Sequence, residues 1–312
     1  MIRVGVIGVG YLGQHHARIY SELGRETGDI ALTAVVDTDK GRAEEIAQKY
    51  GGTAYADYRD MLGQVDALSI VTPTTMHHRI AMDCISAGKD LMIEKPITTT
   101  IEEAEEVIQA SEQAGVIVQI GHLERFNPVM EALKPLLDHP TFLEAERVSP
   151  FLGRGTDVDI TLDLMIHDID IVLSLLEGNA VRSVTATGSR VLTGTIDFAK
   201  AWLGFEGGVH ALFTASRVAA DKSRRLTVFQ KDSYMIVDYQ NLEIKRFFKG
   251  DGKLLNETIT VERKEPLKEE LKDFVACIGA RSRPRVCAIK GRNALKVALQ
   301  IGEKIKQEWN LL

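Results

Sequence analysis

Cysteine is scarce in this chain, and the few copies form no recognisable disulfide or metal motif. The 312 residues include only Cys84, Cys277 and Cys287. An odd number of widely separated cysteines, without a C-x-x-C pair or zinc-finger spacing, indicates reduced structural thiols. The eight histidines also lack H-E-x-x-H or paired-carboxylate spacing. No metal site is therefore predicted.

Long hydrophobic runs and an excess of positive charge are missing as well. No apolar run approaches the roughly 20 residues of a membrane-spanning helix. Met1 leads directly into a strand pattern and a glycine turn, which is not the pattern of a secretory leader. Lys and Arg number 38 against 44 Asp and Glu, and there is no basic block, which argues against nucleic acid as a partner. We expect a cytoplasmic protein that binds neither membrane nor nucleic acid.

The hydrophobic pattern changes near residue 122 and divides the chain into two predicted domains. Before this point, short runs rich in Val, Ile and Leu alternate with amphipathic stretches, as in a parallel sheet covered by helices on both faces. After it, longer strands with turn signals are typical of an antiparallel sheet with a few helices. We predict an α/β fold: a doubly wound parallel sheet in residues 1–121, and an α+β domain with a mainly antiparallel open sheet in residues 122–312, whose C-terminal helix could return to the first domain. The predicted strands are 2–8, 31–37, 67–71, 90–94 and 116–121, then 181–191, 197–205, 209–217, 225–230, 234–239 and 242–248, and a helix is predicted at 101–114.

One predicted strand of the second domain carries apolar residues on both of its sides. It contains Phe198, Trp202, Leu203 and Phe205. One face of its sheet can pack on the helices of the domain, and the other can pack on a second subunit. We therefore expect a homodimer or homotetramer formed through the C-terminal sheet.

A G-x-G-x-x-G motif follows the first predicted strand and opens a helix pattern. Gly8 permits the tight turn, Gly10 lets a pyrophosphate approach the backbone, and Gly13 lets the helix pack close to the strand. Tyr11 and Leu12 lie between these glycines, where the helix N-terminus offers N–H groups and the positive end of its dipole. The motif, with its strand before and its helix after, predicts a dinucleotide site.

An acidic residue, Asp37, ends the next predicted strand. A carboxylate at this place binds the adenosine ribose hydroxyls and repels a 2′-phosphate, so NAD is favoured over NADP. Arg42, one turn into the following helix, leaves NADP open as an alternative. Asp37 could instead serve as the cap of that helix.

Several short motifs, taken in chain order, resemble one family of enzymes. They are the glycine turn, Thr72, Pro73, His77, Glu94, Lys95, Asp163 and His167. Together they resemble the glucose-fructose oxidoreductase, inositol dehydrogenase and MocA family of sugar dehydrogenases over essentially the whole chain. The resemblance implies an NAD-binding Rossmann domain, with the residues from Thr72 to Lys95 in this set as neighbours of the cofactor, and oxidation of a sugar hydroxyl.

The candidate catalytic residues are Lys95, Asp163 and His167. Pro96 favours an extended backbone at Lys95, which places it at the carboxyl end of a strand, where open α/β sheets bind ligands. In a helix, Asp163 would lie one turn before His167 and could fix the imidazole tautomer and raise its basicity. The alternative is a surface stripe of ion pairs. The resemblance implies that Lys95 and His167 share proton removal and alkoxide stabilisation, and it leaves open which of them accepts the proton.

One departure from the family pattern lies in this helix. Many members carry a glycine between the aspartate and the histidine, where this chain has Met165 and Ile166. We expect the helix to form nevertheless, with a substrate pocket of a different shape.

The remaining candidates lie between the two domains in sequence or shortly after. The segment with His122, Arg125 and Asn127 resembles the one in UDP-N-acetylglucosamine 3-dehydrogenases and related nucleotide-sugar enzymes. These residues and Arg154 are candidates for contact with a sugar or a diphosphate, although Arg125 could equally brace the domain interface by an ion pair. His16, on the helix after the glycine turn, is expected to be packed in the core.

This resemblance favours a UDP-linked amino sugar, such as UDP-N-acetylglucosamine, oxidised at C3. Inositol or a free hexose is the alternative substrate. A third hypothesis, from another class, is an NAD-sensing protein that regulates a partner; the presence of chemically suitable residues at all three catalytic positions argues against it.

Overall fold

The structure is a computed structural model that describes residues 1–151, 153 and 158–309. The chain forms two compact units. The first comprises Met1–Leu123 and Glu265–Arg292, and the second comprises Glu124–Lys264 and the chain from Asn293 onward. Helix Pro266–Ala280 lies in the first unit, and the C-terminal helix begins in the first unit and continues in the second.

The first unit contains a parallel sheet of six strands, as predicted for a doubly wound fold. Its strands are β1 (Ile2–Ile7), β2 (Ile30–Val36), β3 (Thr53–Tyr55), β4 (Ala67–Ile70), β5 (Asp90–Glu94) and β6 (Val118–Gly121). Their order is β3-β2-β1-β4-β5-β6, with every pair parallel. The central strands are apolar and buried on both faces, which is why their sequences are continuous hydrophobic runs.

The register of this sheet aligns the ends of its strands. Ile7 pairs with Val36 and with Ile70, Ile70 pairs with Ile93, and Ile93 pairs with Ile120. The residues that follow these five therefore form one row along the carboxyl edge: Gly8, Asp37, Val71, Glu94 and Gly121. This edge is where an open α/β sheet binds its ligand.

Helices cover the first sheet. They are α1 (Gly13–Thr27), α2 (Lys40–Tyr50), α3 (His77–Ser86) and α4 (Ile101–Ala114), to which the later segment adds α7 (Pro266–Ala280). Helix α4 has the predicted bounds, because Thr100 and Glu103 form a capping box at its start and Gly115 ends it in the left-handed conformation. Helix α1 packs against α7, and α3 packs against α4.

The second unit is built on an eight-stranded, mainly antiparallel sheet. Its strands are β7 (Phe142–Val148), β8 (Val181–Ser189), β9 (Phe198–Phe205), β10 (His210–Ser216), β11 (Ser223–Gln230), β12 (Ser233–Asp238), β13 (Glu243–Gly250) and β14 (Lys253–Thr260), in the order β14-β13-β12-β11-β7-β10-β9-β8. Only the β7–β10 pair is parallel. Helices α5 (Pro128–Leu133), α6 (Ile166–Leu175) and most of α8 (Ala288–Trp309) accompany this sheet.

The core of the second unit lies between one face of its sheet and these helices. Alternate residues of β9, β10 and β7 point into it, for example Leu203, Phe213 and Leu143. The predicted fold class, an α/β Rossmann-type domain with a second α+β domain, is confirmed. Among the described residues, no helix is long and apolar enough to cross a membrane.

Candidate active site

The turn after β1 has the geometry that a dinucleotide phosphate requires. Gly8 has a φ of 84°, a left-handed value that glycine adopts without strain. A Cβ on Gly13 would lie 1.8 Å from the carbonyl oxygen of Gly8, whereas a Cβ on Gly10 would meet no atom within 4 Å. The turn itself therefore needs Gly8 and Gly13, while Gly10 leaves the backbone open to a ligand.

Helix α1 starts in this turn without a side-chain cap. The N-cap residue is Leu12, whose apolar side chain cannot cap the helix, and the first turn contains no acidic residue. The amide groups of this turn and the positive end of the helix dipole favour an anion. Tyr11 is exposed beside them. In the loop after β4, Thr72 Oγ1 is buried with no hydrogen-bond partner in the described part of the chain, so these residues fit a bound dinucleotide.

Asp37 lies in the same row and does not cap the following helix. That cap is Asp39, whose Oδ1 accepts a hydrogen bond from the Arg42 amide. Asp37 Oδ2 instead accepts one from the Val9 amide of the glycine turn, at 3.0 Å. The Arg42 guanidinium lies 3.4 Å from the same carboxylate. Asp37 is thus fixed against the dinucleotide turn, as a ribose-binding carboxylate would need to be.

His77 joins the loops that follow β4 and β5. Its Nδ1 lies 2.9 Å from the carbonyl oxygen of Pro96, and its Nε2 lies 2.9 Å from that of Thr72. Burial lowers the pKa of His77 and outweighs these two carbonyl contacts, which act in the opposite direction. The imidazole therefore holds the two loops together. Its neighbour His78 pairs with Glu106 near the surface.

Glu94 ends β5 and is buried, with Lys95 directly after it. Glu94 Oε1 lies 3.2 Å from His16 Nε2, and Oε2 accepts a hydrogen bond from the Lys95 amide at 3.2 Å. The Lys95–Pro96 peptide bond is cis. His16 is fully buried, as its packed position in the sequence indicated, but its ring is part of a polar contact with the Glu-Lys-Pro motif.

The predicted catalytic helix begins differently from the regular helix that its spacing suggested. Thr161–Met165 forms a π-helical turn that leads into α6. A π-turn has more residues than an α-turn, so the step from Asp163 to His167 is not a regular i, i+4 spacing. Such turns occur often at functional sites. Asp163 Oδ2 lies 4.0 Å from Nη2 of Arg217, whose side chain is buried.

The alternative of a surface ion-pair stripe does not describe this helix. Asp168 and Asp170 are both buried. Arg147 donates to Asp168 from Nε and Nη2, each at 2.9 Å, and its Nη1 donates to Glu124 at 3.0 Å. Burial lowers the pKa of Arg147, but the two carboxylates outweigh it and raise that pKa. This buried group of charges anchors the segment that carries His167.

Two of the predicted substrate contacts, Asn127 and Arg125, interact with other residues of the second unit. Asn127 accepts a hydrogen bond from the Val129 amide and donates to Glu124, so it caps α5. Arg125 pairs with Asp170 at 3.3 Å, and both residues lie in the second unit. His122 is buried in the first unit. Arg154 lies outside the described residues.

The sequence analysis did not identify Arg147 or Arg217. The pattern of residues around Arg147 nevertheless indicates a buried charge. Along β7, Leu143, Ala145 and Arg147 point to the same, buried face of the strand. A charged residue at an inward position of a period-two pattern indicates a buried ion pair. Because strand β7 was not predicted, its inward and outward positions could not be assigned from the sequence.

Comparison with known proteins agrees with these features. A family model described as an oxidoreductase family with an NAD-binding Rossmann fold matches residues 2–122, and a GFO/IDH/MocA C-terminal domain model matches residues 141–234. The chain is 36% identical to UDP-N-acetylglucosamine 3-dehydrogenase of Acidithiobacillus ferrooxidans, over 96% of each chain. A solved structure of the enzyme of that name from that organism superposes with a TM-score of 0.91 at 34% identity, over 98% of each chain. Another relative, scyllo-inositol 2-dehydrogenase (NAD(+)) of Bacillus subtilis, is 30% identical over 70% of this chain and 68% of its own.

Proposed function

Because this chain belongs to the GFO/IDH/MocA family of NAD-binding oxidoreductases, we propose that it oxidises the C3 hydroxyl of a UDP-linked amino sugar such as UDP-N-acetylglucosamine. The observation that carries the proposal is the 36% identity to a UDP-N-acetylglucosamine 3-dehydrogenase over almost the full length of both chains. The product would be a 3-keto sugar nucleotide, which an aminotransferase could use.

An alternative substrate is inositol or a free hexose. The similarity to scyllo-inositol 2-dehydrogenase supports it, but at lower identity and over less of the chain. A sugar nucleotide differs from a free cyclitol in its diphosphate, which needs cationic donors. Arg224 offers one in the second unit: its side chain is 36% exposed, and its nearest carboxylate oxygen, on Glu124, lies 3.5 Å away. Burial and the charge of Arg147 lower the pKa of Arg224, so a bound anion would relieve an unfavourable environment.

We assign the catalytic roles to Lys95, Asp163 and His167. Bound NAD supplies the acceptor for the hydride that leaves the carbinol carbon. Lys95 and His167 remove the hydroxyl proton and stabilise the developing alkoxide between them, since an alcohol releases hydride readily only as its O–H bond loosens. Asp163 orients the imidazole and favours its protonated form. Arg217, 4.0 Å from Asp163, limits the motion of that carboxylate.

We also propose that the protein is a homodimer or homotetramer formed through the sheet of the second unit. Aromatic rings contact one another on the face opposite the core, across adjacent strands or, for Phe142 and Trp202, across the intervening β10. Phe142 lies 5.3 Å from Trp202 and 5.9 Å from Phe229, Phe229 lies 5.4 Å from Tyr234, and Tyr234 lies 4.6 Å from Phe247, as ring centroids. Trp202 is 44% exposed and Phe229 is 37% exposed. Another copy of the chain would cover this apolar surface.

A cytoplasmic location is consistent with the three buried free thiols.

The test of the activity is the appearance of NADH absorbance when purified protein receives NAD with UDP-N-acetylglucosamine, inositol or glucose in turn. We expect turnover with the sugar nucleotide and a loss of at least about a hundredfold in kcat in the Lys95→Ala variant. Lys49→Ala, at the exposed end of α2, is the matched control and should retain wild-type activity. Turnover of inositol or glucose alone would replace the proposed substrate with the alternative.

A further inference from the structure

Arg217, in the second unit, has buried hydrogen-bond donors that the described residues do not use. Its side chain is 5% exposed. Nη2 donates to the carbonyl oxygen of Val158 at 3.0 Å, whereas Nε and Nη1 are buried with no hydrogen-bond partner among the described residues. Burying a charged group with unsatisfied N–H donors costs free energy. These donors therefore indicate an acceptor that the described residues do not supply.

Arg224 is a second arginine whose charge is incompletely compensated. Its Nη1 lies 3.5 Å from Glu124 Oε1. The same oxygen accepts a shorter hydrogen bond, of 3.0 Å, from Arg147, and both carboxylate oxygens of Asp168 also accept from Arg147. These buried carboxylates are thus bonded to Arg147, and burial together with the charge of Arg147 lowers the pKa of Arg224. A bound anion would offset both effects.

The register of the second sheet places the two arginines at the same end and on the same face. Ala215 of β10 is the register partner of Arg147 of β7, which is the partner of Arg224 of β11. Register partners point to the same side of a sheet, and so do residues two apart along a strand. Arg217, two residues after Ala215, therefore shares the helix-covered side with Arg224. Strand spacings put the two backbones roughly 12 Å apart, so a small ligand between them is within reach of both side chains.

Both arginines lie beside the segment that carries the candidate catalytic residues. Asp163 Oδ2 is 4.0 Å from Arg217 Nη2, and the charge of Asp163 acts to raise the pKa of Arg224, so this carboxylate is near both. His167 follows in the same segment, at the start of α6. In a nucleotide sugar the diphosphate is attached at C1, on the same ring as C3. A sugar whose C3 hydroxyl reaches His167 therefore brings its diphosphate into the neighbourhood of the two arginines.

We propose that Arg217 and Arg224 form an anion subsite that binds the diphosphate of the substrate. A guanidinium group matches phosphate oxygens through parallel N–H donors, and two such groups can hold two linked phosphates. The subsite selects nucleotide-linked sugars over inositol and free hexoses, which have no anion to place there. The inference rests on the proposed function, because it names the residues that choose its substrate class, but its test does not require turnover.

The experiment measures the dissociation constants of UDP and of NAD with the purified full-length protein by calorimetry, with UDP titrated in the presence of saturating NAD. We expect Arg217→Gln and Arg224→Gln each to weaken UDP binding about tenfold or more, since each removes charge-assisted hydrogen bonds to phosphate. NAD binding should stay within about twofold of wild type. Arg182→Gln is the matched control, because it removes an exposed arginine of the same unit that pairs with Glu206. It should leave both constants unchanged.

A conservative variant separates the role of Arg217 in binding from a role in folding. Arg217→Lys keeps the positive charge but loses the paired N–H donors. It should match the wild-type circular dichroism spectrum and still bind UDP more weakly. Wild-type UDP affinity in both Arg217→Lys and Arg224→Gln would overturn the subsite.

The wild-type protein provides a test that needs no variant. Inorganic pyrophosphate should displace UDP, and uridine at the same concentration should not. Displacement by uridine but not by pyrophosphate would contradict the subsite. Arginine-dependent binding of UDP by a protein that oxidises none of the sugars would disprove the proposed activity and retain the subsite. Turnover of UDP-N-acetylglucosamine with an unchanged KM in both glutamine variants would do the reverse.

Discussion

The residues whose location was easiest to predict are those whose position in the chain determines their position in space. Asp37, Glu94 and Lys95 lie at or just beyond the ends of parallel strands, and such ends meet at one edge of a sheet. Their hydrogen-bond partners could not be predicted in the same way. His16 lies 78 residues before Glu94 in the sequence, and only the packing of α1 on the sheet brings the two together.

At the residue scale, the assignment of His167 as a proton-transfer group is testable by substitution. We expect His167→Gln to reduce kcat by about 10²- to 10⁴-fold, because a glutamine cannot take up the hydroxyl proton. Asp163→Asn should reduce kcat by a smaller factor, since it removes only the group that orients and charges the imidazole. The measurements are steady-state kinetics and NAD affinity, and the affinity should not change in either variant.

The second unit also contains an Asp–His pair at its surface, which serves as a control for Asp163 and His167. His139 Nδ1 lies 2.7 Å from Asp138 Oδ1, and the histidine side chain is almost fully exposed. Asp138→Asn and His139→Gln should leave kcat at the wild-type value. A His167→Gln enzyme that keeps a tenth or more of the wild-type kcat would contradict the catalytic assignment.

At the scale of elements, the predicted helices and strands agree where the hydrophobic pattern is strong and fail where it is weak. Helix α4 was predicted with its observed bounds. Three strands were missed. The strand β14 has an almost fully exposed sequence, β3 has only three residues, and β7 contains charged residues at alternate positions. The π-turn before α6 was also missed, because no residue pattern in Thr161–Met165 distinguishes it from an α-helical turn.

The loop before β9 folds around the carboxylate of Asp197, which gives a prediction of pH dependence. Asp197 accepts hydrogen bonds from the Thr193 hydroxyl at 2.6 Å and from the amides of Val191, Leu192 and Thr193 at 2.7–2.8 Å. Burial acts to raise the pKa of Asp197, but these hydrogen bonds lower it to about 2. A lowered pKa in the folded state stabilises the fold above the unfolded value of about 3.9, and this stabilisation is lost as the pH falls toward 2.

We expect Asp197→Asn to reduce the free energy of unfolding at pH 7 by roughly 1–3 kcal/mol. The difference from wild type should shrink as the pH is lowered from about 4 to about 2. Urea unfolding at a series of pH values measures it. Asp221→Asn, at an exposed loop position, serves as the control. A difference between Asp197→Asn and wild type that stays constant down to pH 2 would disprove the charged role of Asp197.

At the scale of the whole molecule, the sequence predicted two domains but not the path of the chain between them. The change of hydrophobic pattern near residue 122 coincides with the first crossing. The return of Glu265–Arg292 to the first unit was not predicted, because an amphipathic helix such as α7 shows that it has a buried face but not which core receives it. Here that core includes Tyr20 and Leu23 of α1 together with Leu271 and Phe274 of α7.

The stacked aromatic rings of the second sheet predict the state of assembly. We expect the wild-type protein to sediment as a dimer or tetramer, and Trp202→Glu to sediment as a smaller species, since a charge within a buried apolar contact costs several kcal/mol. Leu254→Glu, which introduces the same charge at an exposed position outside the ring stack, should not change the mass. A wild-type monomer, or an unchanged mass for Trp202→Glu, would contradict assembly through this face.

We propose that the enzyme removes a hydride from C3 of a UDP-linked sugar, and the transfer of an isotope from that carbon tests this proposal. The substrate is UDP-N-acetylglucosamine that carries deuterium only at C3, and the measurement is the mass of the reduced cofactor after turnover with unlabelled NAD. If the claim is right, each NADH formed carries one deuterium, and the rate shows a primary isotope effect wherever hydride transfer limits it. Formation of NADH without deuterium, with the label retained in the sugar, would show that another carbon is oxidised.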